Sequence, residues 1–344
     1  MRWSKTFTIV GCHAEGEVGN VVTGGVGKIP GNTVFEKMQH MERHNDGFRK
    51  LVLYEPRGAA VNNTNVLVPA CHPDADMGYI IMEATEYPAM SGSNTMCVAT
   101  VLLETGIIEM TEPVTKLTLE APGGLIDVEC ACRDGQVELV RFVNQPAFVY
   151  HLDTEIEVPD IGKVAVDVAY GGMTFVMVDA TRFGFELVPS EARAICMLGE
   201  TIKAAAAEQL ETVHPENPEI PGITNMCFLG PVQETAGSLA ARNATVVSPG
   251  RLDRSPCGTG TSARLAIMHA KGQIETGQQF IHESVIGSKF ISEVAGTTKV
   301  GKYDAVIPAV AGRCWITHIS QHGLDPSDPF PQGYTLSDAW LTAI

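Results

Sequence analysis

Two short stretches of the chain place a nucleophile-type side chain directly before a glycine. The first is Met90–Thr95, MSGSNT, which contains Ser91, and the second is Asp253–Ala263, DRSPCGTGTSA, which contains Cys257. An apolar, helix-like pattern follows each stretch, so Ser91 and Cys257 are predicted at or just before helix N-termini. Free backbone N–H groups and the helix dipole make such ends anion sites. The pair therefore suits a small carboxylate, with one side chain on each face of the ligand.

The thiol and the hydroxyl differ in the acid–base chemistry that they offer. A cysteine at a helix N-terminus is expected to have a depressed pKa, so Cys257 could act as a general base on a carbon acid. Ser91 is a poorer base, but it could relay or donate a proton. In the structural alternative, Ser91 and Thr259 only cap their helices and Cys257 fills space. The occurrence of the two loops as a pair favours the catalytic interpretation.

The elements that carry these loops follow an α+β plan. Strand-like segments outnumber helix-like segments and do not alternate with them, which disfavours a doubly wound parallel sheet. Ser91 and Cys257 are 166 residues apart (257 − 91), which indicates an internal repeat. We therefore predict two homologous halves, residues 1–160 carrying Ser91 and residues 161–344 carrying Cys257, with the active site in the cleft between them.

The same offset aligns further positions without gaps. Gly106 aligns with Gly272, and both are predicted C′ caps of the helices that follow the two loops. Far upstream, Thr8–Val10 aligns with Thr174–Val176. These matches predict that the two halves share one order of strands and helices.

The composition limits the partners that the protein can have. The chain has 344 residues and a net charge of −16, which argues against nucleic acid and anionic membrane surfaces. No apolar run approaches the roughly 18 residues that a membrane span needs. The nine cysteines are scattered, so a reduced, cytoplasmic setting is expected. The expected partner is a small-molecule substrate, and a homodimer is the expected assembly.

Three weaker motifs do not predict cofactor or metal sites. Gly258–Ala263 matches G-x-G-x-x-A, but a loop separates it from the preceding strand, whereas a dinucleotide fingerprint follows its strand directly. Gly24–Lys28 resembles the end of a P-loop but lacks its first glycine and its final serine or threonine. Cys130 and Cys132 lack a second ligand pair at zinc spacing, so they are predicted to pack on one face of a strand.

Several motifs together resemble those of the proline racemase family, which includes 4-hydroxyproline epimerases and trans-3-hydroxy-L-proline dehydratases. Besides the two loops, they are HAEGE (His13–Glu17), EPRG (Glu55–Gly58) and YGG (Tyr170–Gly172). The resemblance covers nearly the whole chain. It implies two symmetric α+β halves, each a curved mixed sheet around a central helix, as in diaminopimelate epimerase. It also implies that the enzyme uses no metal and no cofactor.

The resemblance implies a role for each residue of the two loops. Racemases and epimerases of the family carry a cysteine in both loops, and one removes the Cα proton while the other reprotonates the opposite face. Here Ser91 replaces the first cysteine, and Ser93 replaces the histidine that usually follows. Asp253 is expected to hold the ring nitrogen. The remaining implied substrate-binding residues are Gly92, Ser93, Asn94, Gly258 and Thr259, of which Gly92, Ser93 and the backbone amides of Gly258 and Thr259 are expected to hold the carboxylate.

Members of the family in which serine or threonine replaces one cysteine tend to be dehydratases, so the resemblance implies dehydration of trans-3-hydroxy-L-proline to Δ1-pyrroline-2-carboxylate. The hydroxyl of this substrate lies on the same ring face as the Cα hydrogen, so one acid/base residue can serve a syn elimination. The alternatives are a 4-hydroxyproline 2-epimerase, a bifunctional enzyme, or a proline-type binding protein with little catalysis. The sequence leaves open whether Ser91 or Cys257 removes the Cα proton.

Overall fold

The computed structural model describes residues 3–235 and 237–340. It divides into two compact units, of which unit 1 comprises Met1–Phe142 and Gly312–Ile344, and unit 2 comprises Val143–Ala311. Within the described ranges, no helix combines the length and the apolar character needed to cross a bilayer.

Unit 1 is a mixed sheet with three helices. In chain order its elements are β1 (Lys5–Ala14), β2 (Glu17–Gly24), α1 (Val34–His44), α2 (Gly47–Leu53), β3 (Asn63–Val68), β4 (Met77–Met82), α3 (Gly92–Glu104), β5 (Val114–Ala121), β6 (Gly124–Arg133), β7 (Gln136–Val143) and β18 (Cys314–Leu324). Strands pair in the order β18–β1–β2–β3–β4–β5–β6. The pairs β2–β3 and β4–β5 are parallel, because a helical crossover joins the two strands of each, and the others are antiparallel.

Helix α3 is the centre of unit 1. It contacts β18 and β1 at one end of the strand order and β6 near the other end, so the sheet curves around it. Every residue from Gly92 to Leu103 is buried, and the sequence is apolar nearly all round, as expected for an enclosed helix. The helix ends before Gly106, whose φ of +71° is a conformation that glycine adopts without strain.

Unit 2 has the same arrangement of a mixed sheet around a central helix, and its sheet closes into a barrel. Its elements are β8 (Ala147–Val158), β9 (Gly162–Tyr170), β10 (Thr174–Asp179), two 3₁₀ turns (Ala180–Phe183 and Pro189–Glu191), α4 (Ala192–Gln209), β11 (Ile223–Leu229), β12 (Gln233–Thr235), β13 (Ser238–Val247), β14 (Arg251–Leu252), α5 (Gly258–Ala270), β15 (Gln279–Glu283), β16 (Lys289–Val300) and β17 (Tyr303–Gly312). Strands pair in the order β8–β9–β10–β11–β13–β15–β16–β17, and β17 pairs back with β8. This ring encloses α5, which contacts β8, β9, β10 and β16.

The predicted α+β architecture is therefore confirmed in each unit taken by itself. The 166-residue offset holds at the central helices, since α3 and α5 both have 13 residues and begin at Gly92 and Gly258. Gly272 follows α5 with a φ of +68°, as Gly106 follows α3.

The upstream part of the repeat alignment is wrong. In strand order β1 and β2 correspond to β9 and β10, because each pair is an antiparallel hairpin whose second strand pairs in parallel with the next. Thr8–Val10 lies in β1 and therefore corresponds to β9, whereas the ungapped offset matched it to β10. The connections between hairpin and central helix differ in length in the two units, so no single offset aligns both elements.

The compact units have different bounds from the predicted halves, 1–160 and 161–344. Residues 147–158 form β8, which pairs with β9 and β17 of unit 2. Residues 314–324 form β18, which pairs with β1 along its whole length and so belongs to unit 1. Unit 1 takes its first strand in sheet order from the C-terminal part of the chain.

Candidate active site

Ser91 lies at the N-terminus of the buried helix α3. Its backbone is extended (φ −150°, ψ 120°), and its side chain makes no capping hydrogen bond, so the capping alternative does not hold for this serine. Instead, Ser91 Oγ accepts a hydrogen bond from Asn94 Nδ2 at 2.9 Å. A donor of this kind stabilises a negative oxygen and does not make it more basic. The arrangement therefore favours Ser91 as a proton donor over Ser91 as a base.

A chain of buried amides fixes the orientation of Asn94. Asn94 Oδ1 accepts a hydrogen bond from Asn65 Nδ2 at 2.7 Å, so its NH₂ group must be the one directed at Ser91. Asn65 Nδ2 also donates to the carbonyl oxygen of Asn20 at 3.2 Å. Asn94 was predicted to bind substrate, and that role stays a prediction. What the structure adds is that Asn94 positions Ser91.

The first turn of α3 is anchored to the sheet behind it. Thr95 donates both its N–H (2.9 Å) and its Oγ hydroxyl (2.8 Å) to the carbonyl oxygen of Ser91. Thr95 Oγ1 also lies 2.6 Å from the Tyr79 hydroxyl. Gly92 and Ser93 are buried in the same turn, where backbone N–H groups lack acceptors inside the helix. The predicted contacts of Gly92 and Ser93 with the substrate carboxylate stay predictions.

Cys257 occupies the same position in unit 2, with a different backbone. Its φ of +67° and ψ of 107° are unusual for a residue with a side chain and cost about 1–3 kcal/mol. The conformation is held by Thr261, which donates its N–H (2.8 Å) and its hydroxyl (2.7 Å) to the Cys257 carbonyl oxygen. Cys257 Sγ accepts from the N–H of Gly260 at 3.3 Å and lies 3.6 Å from Thr259 Oγ1. Strain of this kind is concentrated at functional positions.

The acidity of the Cys257 thiol departs from the expectation. Burial raises its pKa well above the ordinary value, and the nearby Asp253 carboxylate raises it further. The Gly260 N–H and the Thr259 hydroxyl act in the opposite direction but are weaker. The prediction of a depressed pKa is therefore wrong for the unliganded site, because desolvation of the thiolate outweighs the donors of the helix N-terminus.

Asp253 orders the loop that leads to Cys257. Its Oδ1 accepts hydrogen bonds from the N–H and the hydroxyl of Ser255, both at 2.8 Å. Ser255 Oγ in turn accepts from the N–H of Cys257 at 3.1 Å. An aspartate that accepts hydrogen bonds from the residue two positions later forms an Asx turn, and Asp253 stabilises the loop in this way. The predicted contact of Asp253 with a ring nitrogen stays a prediction.

A second buried network supports α5 from below. Arg264 donates to His282 Nε2 at 3.1 Å, and His282 Nδ1 lies 2.8 Å from Thr261 Oγ1. Burial and Arg264 lower the pKa of His282 well below its usual value, so the ring is neutral. With Nε2 accepting, we assign the proton to Nδ1, which then donates to Thr261. Burial also lowers the pKa of Arg264 to about 10. The network therefore fixes the Thr261 hydroxyl, which donates to the carbonyl oxygen of Cys257, the residue with the strained backbone.

The glycine turn in Tyr170–Gly172 packs directly on α5. A Cβ atom at Gly171 would lie 2.3 Å from the carbonyl oxygen of Thr259 and 2.4 Å from the N atom of Ala263. Asn144 Nδ2 ties this turn down by donating to the Gly171 carbonyl oxygen at 2.8 Å and to Ser262 Oγ at 2.9 Å. Only glycine allows this approach of the turn to the helix backbone.

The structure places the predicted residues in two groups, one in each unit. Unit 1 brings together Ser91, Gly92, Ser93 and Asn94, and unit 2 brings together Asp253, Cys257, Gly258 and Thr259. Several residues that position them have no predicted role. Gly171 and Ser255 lie within motifs quoted from the sequence, whereas Asn65, Tyr79, Asn144 and His282 lie outside them. A signal was present for Asn65, since an amide at an inward position of the strand NTNVLV needs a buried partner.

Comparison with known proteins identifies the family. The sequence profile described as Proline racemase matches residues 9–335. The chain belongs to the proline racemase family. It is an enzyme of the racemase and epimerase type or a related dehydratase, and the family resemblance expected from the motifs is confirmed.

Two crystal structures of family members are similar over nearly the whole chain. A hydroxyproline epimerase from Agrobacterium vitis, with bound trans-4-hydroxy-L-proline, is 39% identical with a TM-score of 0.92, covering 99% of this chain and 98% of that chain. A probable proline racemase from Agrobacterium radiobacter K84, with bound carbonate, is 41% identical with a TM-score of 0.91, covering 97% and 98%. A Bacillus anthracis phenazine biosynthesis protein of the PhzF family is 13% identical with a TM-score of 0.59, covering 92% and 99%, and shares the fold alone.

Proposed function

We propose that the protein is a cofactor-independent hydro-lyase that dehydrates trans-3-hydroxy-L-proline. The observation that carries this proposal is the unlike environment of the two loop residues. Among the described residues, the side-chain partner of Ser91 Oγ is the Asn94 amide, which is a donor and not a base. Cys257 carries a titratable thiol whose sulfur accepts from the Gly260 N–H and lies 3.6 Å from the Thr259 hydroxyl. Epimerisation needs a competent base on each face of the substrate, whereas syn elimination needs one.

In the proposed reaction, Cys257 performs both proton transfers. Its thiolate removes the Cα proton, and the electron pair of the C–H bond becomes the C2–C3 double bond. The C3–O bond breaks as the oxygen takes the same proton from the Cys257 thiol, so water leaves and the thiolate is regenerated. The initial product is Δ2-pyrroline-2-carboxylate, which tautomerises to Δ1-pyrroline-2-carboxylate. Atoms and charge balance without a redox partner.

The substrate itself would activate the thiol. In the free enzyme, the Asp253 carboxylate raises the pKa of Cys257. If Asp253 pairs with the ring ammonium, as family membership suggests, the positive charge of the ring compensates the carboxylate that raises the thiol pKa. This compensation lowers the pKa of Cys257 when the substrate is bound, which reconciles a protonated resting thiol with a base in the complex.

The helix N-termini would hold the carboxylate. Negative charge builds on the substrate carboxylate as the Cα proton leaves, and fixed N–H donors stabilise that charge without reorganisation. Gly92 and Ser93 of α3 and Gly258 and Thr259 of α5 are the proposed donors. The proposal requires both loops to act on one substrate molecule, which is itself part of the prediction.

A second candidate function is 4-hydroxyproline 2-epimerisation, alone or together with dehydration. The similar Agrobacterium vitis protein is a hydroxyproline epimerase with bound trans-4-hydroxy-L-proline. For this reaction Ser91 would have to deliver a proton to the face opposite Cys257. Its hydrogen-bonded hydroxyl is suited to donating a proton there but not to removing one, so only one direction of the epimerisation would be served. A proline-type binding protein is the third candidate, and it predicts neither reaction.

We further propose a reducing, cytoplasmic location. All nine cysteines are free thiols, and eight of them are buried. Buried free cysteines persist where thiols are kept reduced. The expected homodimer is a separate prediction, which sedimentation velocity of the full chain would test.

The proposed function is tested by incubating the enzyme in D₂O with each hydroxyproline isomer. Pyrroline formation from trans-3-hydroxy-L-proline supports dehydration, and Cα deuteration of trans-4-hydroxy-L-proline supports epimerisation. Cys257→Ser should lose at least about 10³-fold in kcat, because the proposed acid/base group is removed. Ser91→Ala should lose far less dehydratase activity than epimerase activity.

The matched control is Cys130→Ser, which removes a buried thiol of unit 1 outside both loops. It should retain both activities. Full dehydratase activity in Cys257→Ser would refute the assignment of Cys257. Equal loss of dehydration in Ser91→Ala and Cys257→Ser would refute a mechanism with a single acid/base residue.

A further inference from the structure

Three buried cysteines of unit 1 converge on one point, apart from the catalytic loops. Cys12 lies on β1, Cys314 on β18 and Cys97 on α3. Their three Sγ atoms all lie within 4.8 Å of one another. Their side chains are 1%, 5% and 0% exposed, in the order given. No other group of three or more histidine, cysteine or acidic side chains within the described ranges meets this spacing.

The register of the sheet explains why these side chains meet. In the antiparallel pair β1–β18, Ala14 is opposite Cys314 and Cys12 is opposite Ile316. Cys12 and Cys314 are therefore diagonal neighbours on one face of the sheet. That face is directed at α3, where Cys97 completes the triangle.

A fourth polar atom is directed at this cysteine cluster without a conventional partner. Thr100 lies one helical turn after Cys97 and is fully buried. Its Oγ1 has no hydrogen-bond partner of normal geometry within the described residues, and the thiol of Cys314 is the group near enough to interact with it. A buried hydroxyl without a partner is uncommon, because its desolvation is not compensated. A charged ligand in the cluster would provide that compensation, either as a bond to the oxygen or as thiolates that accept its hydrogen.

The geometry points to a zinc site formed by Cys12, Cys97 and Cys314, which we propose as a structural metal site of unit 1. Zinc–sulfur bonds of about 2.3 Å in tetrahedral geometry put the sulfur atoms roughly 3.8 Å apart. The three sulfur atoms lie within 4.8 Å of one another, which exceeds that value by at most about 1 Å. We place the fourth position beside Thr100, which neighbours Cys314.

The chemistry of the ligands selects the ion. Thiolates are soft ligands, which excludes calcium and magnesium because those ions take oxygen ligands. Three thiolates with a divalent ion leave one net negative charge, whereas a monovalent copper ion would leave two. Burial penalises the larger charge more, so zinc fits this enclosed cluster better.

Bound zinc would also steady the loop that carries Ser91. It would join β1, β18 and α3, three elements that are far apart in sequence. Cys97 lies one turn after Asn94, and both pack on Gly19 of β2, where an added Cβ would lie 2.8 Å from Cys97 Sγ and 3.0 Å from Asn94 Oδ1. The ion would therefore fix the helix turn that holds Asn94 against Ser91 without touching the substrate.

The test is the metal content of the full chain. The protein is produced in zinc-supplemented medium with a reductant, and a second sample is unfolded and refolded with one equivalent of Zn²⁺. Mass spectrometry should find about one zinc per chain. Replacement by Co²⁺ should give the sulfur-to-cobalt charge-transfer absorption expected of thiolate ligands. Zinc should raise the midpoint of thermal unfolding by on the order of 5–10 °C.

Matched variants decide whether these cysteines are the ligands. Cys97→Ala and Cys12→Ala should each lose the bound zinc and the thermal shift, whereas Cys130→Ala, which removes a buried thiol of β6, should keep both. Thr100→Val preserves shape and should weaken zinc binding about tenfold or more. The proposal is overturned if the wild-type chain takes up no zinc by either route, or if Cys97→Ala still binds one equivalent. These two outcomes concern metal binding only, and neither changes the result expected in the dehydratase assay.

Discussion

The contact between Gly171 and helix α5 leads to the sharpest prediction about catalysis. A Cβ at this position would lie 2.3 Å from the Thr259 carbonyl oxygen and 2.4 Å from the Ala263 N atom, where real Cβ contacts need more than 3.0 Å. Both obstacles are backbone atoms of the helix, so no side chain can rotate away. Gly171→Ala must therefore move the turn or the first turn of α5 by roughly 1 Å.

The expected cost follows from that displacement. Misplacing catalytic groups by about 1 Å can lower the rate by about 10²-fold, which corresponds to about 2.7 kcal/mol in the transition state. Overpacking should lower the free energy of unfolding by about 1–3 kcal/mol, which a domain of this size tolerates. We expect Gly171→Ala to fold, with a kcat/KM about 100-fold below the wild type.

The assay measures kcat/KM for whichever hydroxyproline reaction the wild type catalyses, beside circular dichroism and thermal unfolding. The matched control is Gly296→Ala in β16 of the same unit, where an added Cβ meets only Ile307 Cδ1 at 3.7 Å. It should leave kcat/KM unchanged within about twofold. A folded Gly171→Ala protein with wild-type kcat/KM would show that the position of this turn does not control the geometry of Cys257.

Further predictions concern the groups around the two loops. Asp253→Asn should shift the pH profile of Cys257 alkylation to lower pH, since the carboxylate raises the thiol pKa, while kcat/KM falls; an unchanged profile would contradict the electrostatic argument. Asn94→Ala should lower the free energy of unfolding by about 1–3 kcal/mol and should not change Cys257 alkylation, because only the Ser91 network is broken. His282 is held neutral, so its contribution to stability is present above its unfolded pKa of about 6.5 and is lost as the pH falls below it, by up to about 1.4 kcal/mol per pH unit. Urea unfolding should show that slope, and His282→Gln should reduce it.

Sequence reasoning predicted the parts of the site that depend on local chemistry. Helix N-termini at Ser91 and Cys257 follow from a glycine turn before an apolar periodic segment, and the structure has α3 and α5 begin one residue later. The central helices align because each must fill the interior of a sheet of similar size. Where the connecting segments differ in length, as between β1 and α3, a fixed offset could not predict the correspondence.

What the sequence could not predict depends on pairing between distant segments. Asn65 reaches Asn94 because β3 lies beside the central helix, and nothing in either segment encodes that distance. The pKa of Cys257 was misjudged for a related reason, since the helix end is visible in the sequence but the degree of burial is not. The cysteine cluster was missed because its three members come from β1, α3 and β18, and no short-range spacing links them.

The late position of β18 has a consequence for biosynthesis. β1 leaves the ribosome well before its neighbour Cys314–Leu324, which is translated some three hundred residues later. At about 5–20 residues per second, the open edge of β1 waits on the order of 15–60 s for its partner. Val143–Ala311 is continuous and can close its barrel in that interval. We therefore expect the nascent chain to become protease-resistant first in Val143–Ala311. A stalled chain lacking Cys314–Leu324 should leave one edge of β1 unpaired for chaperones to cover.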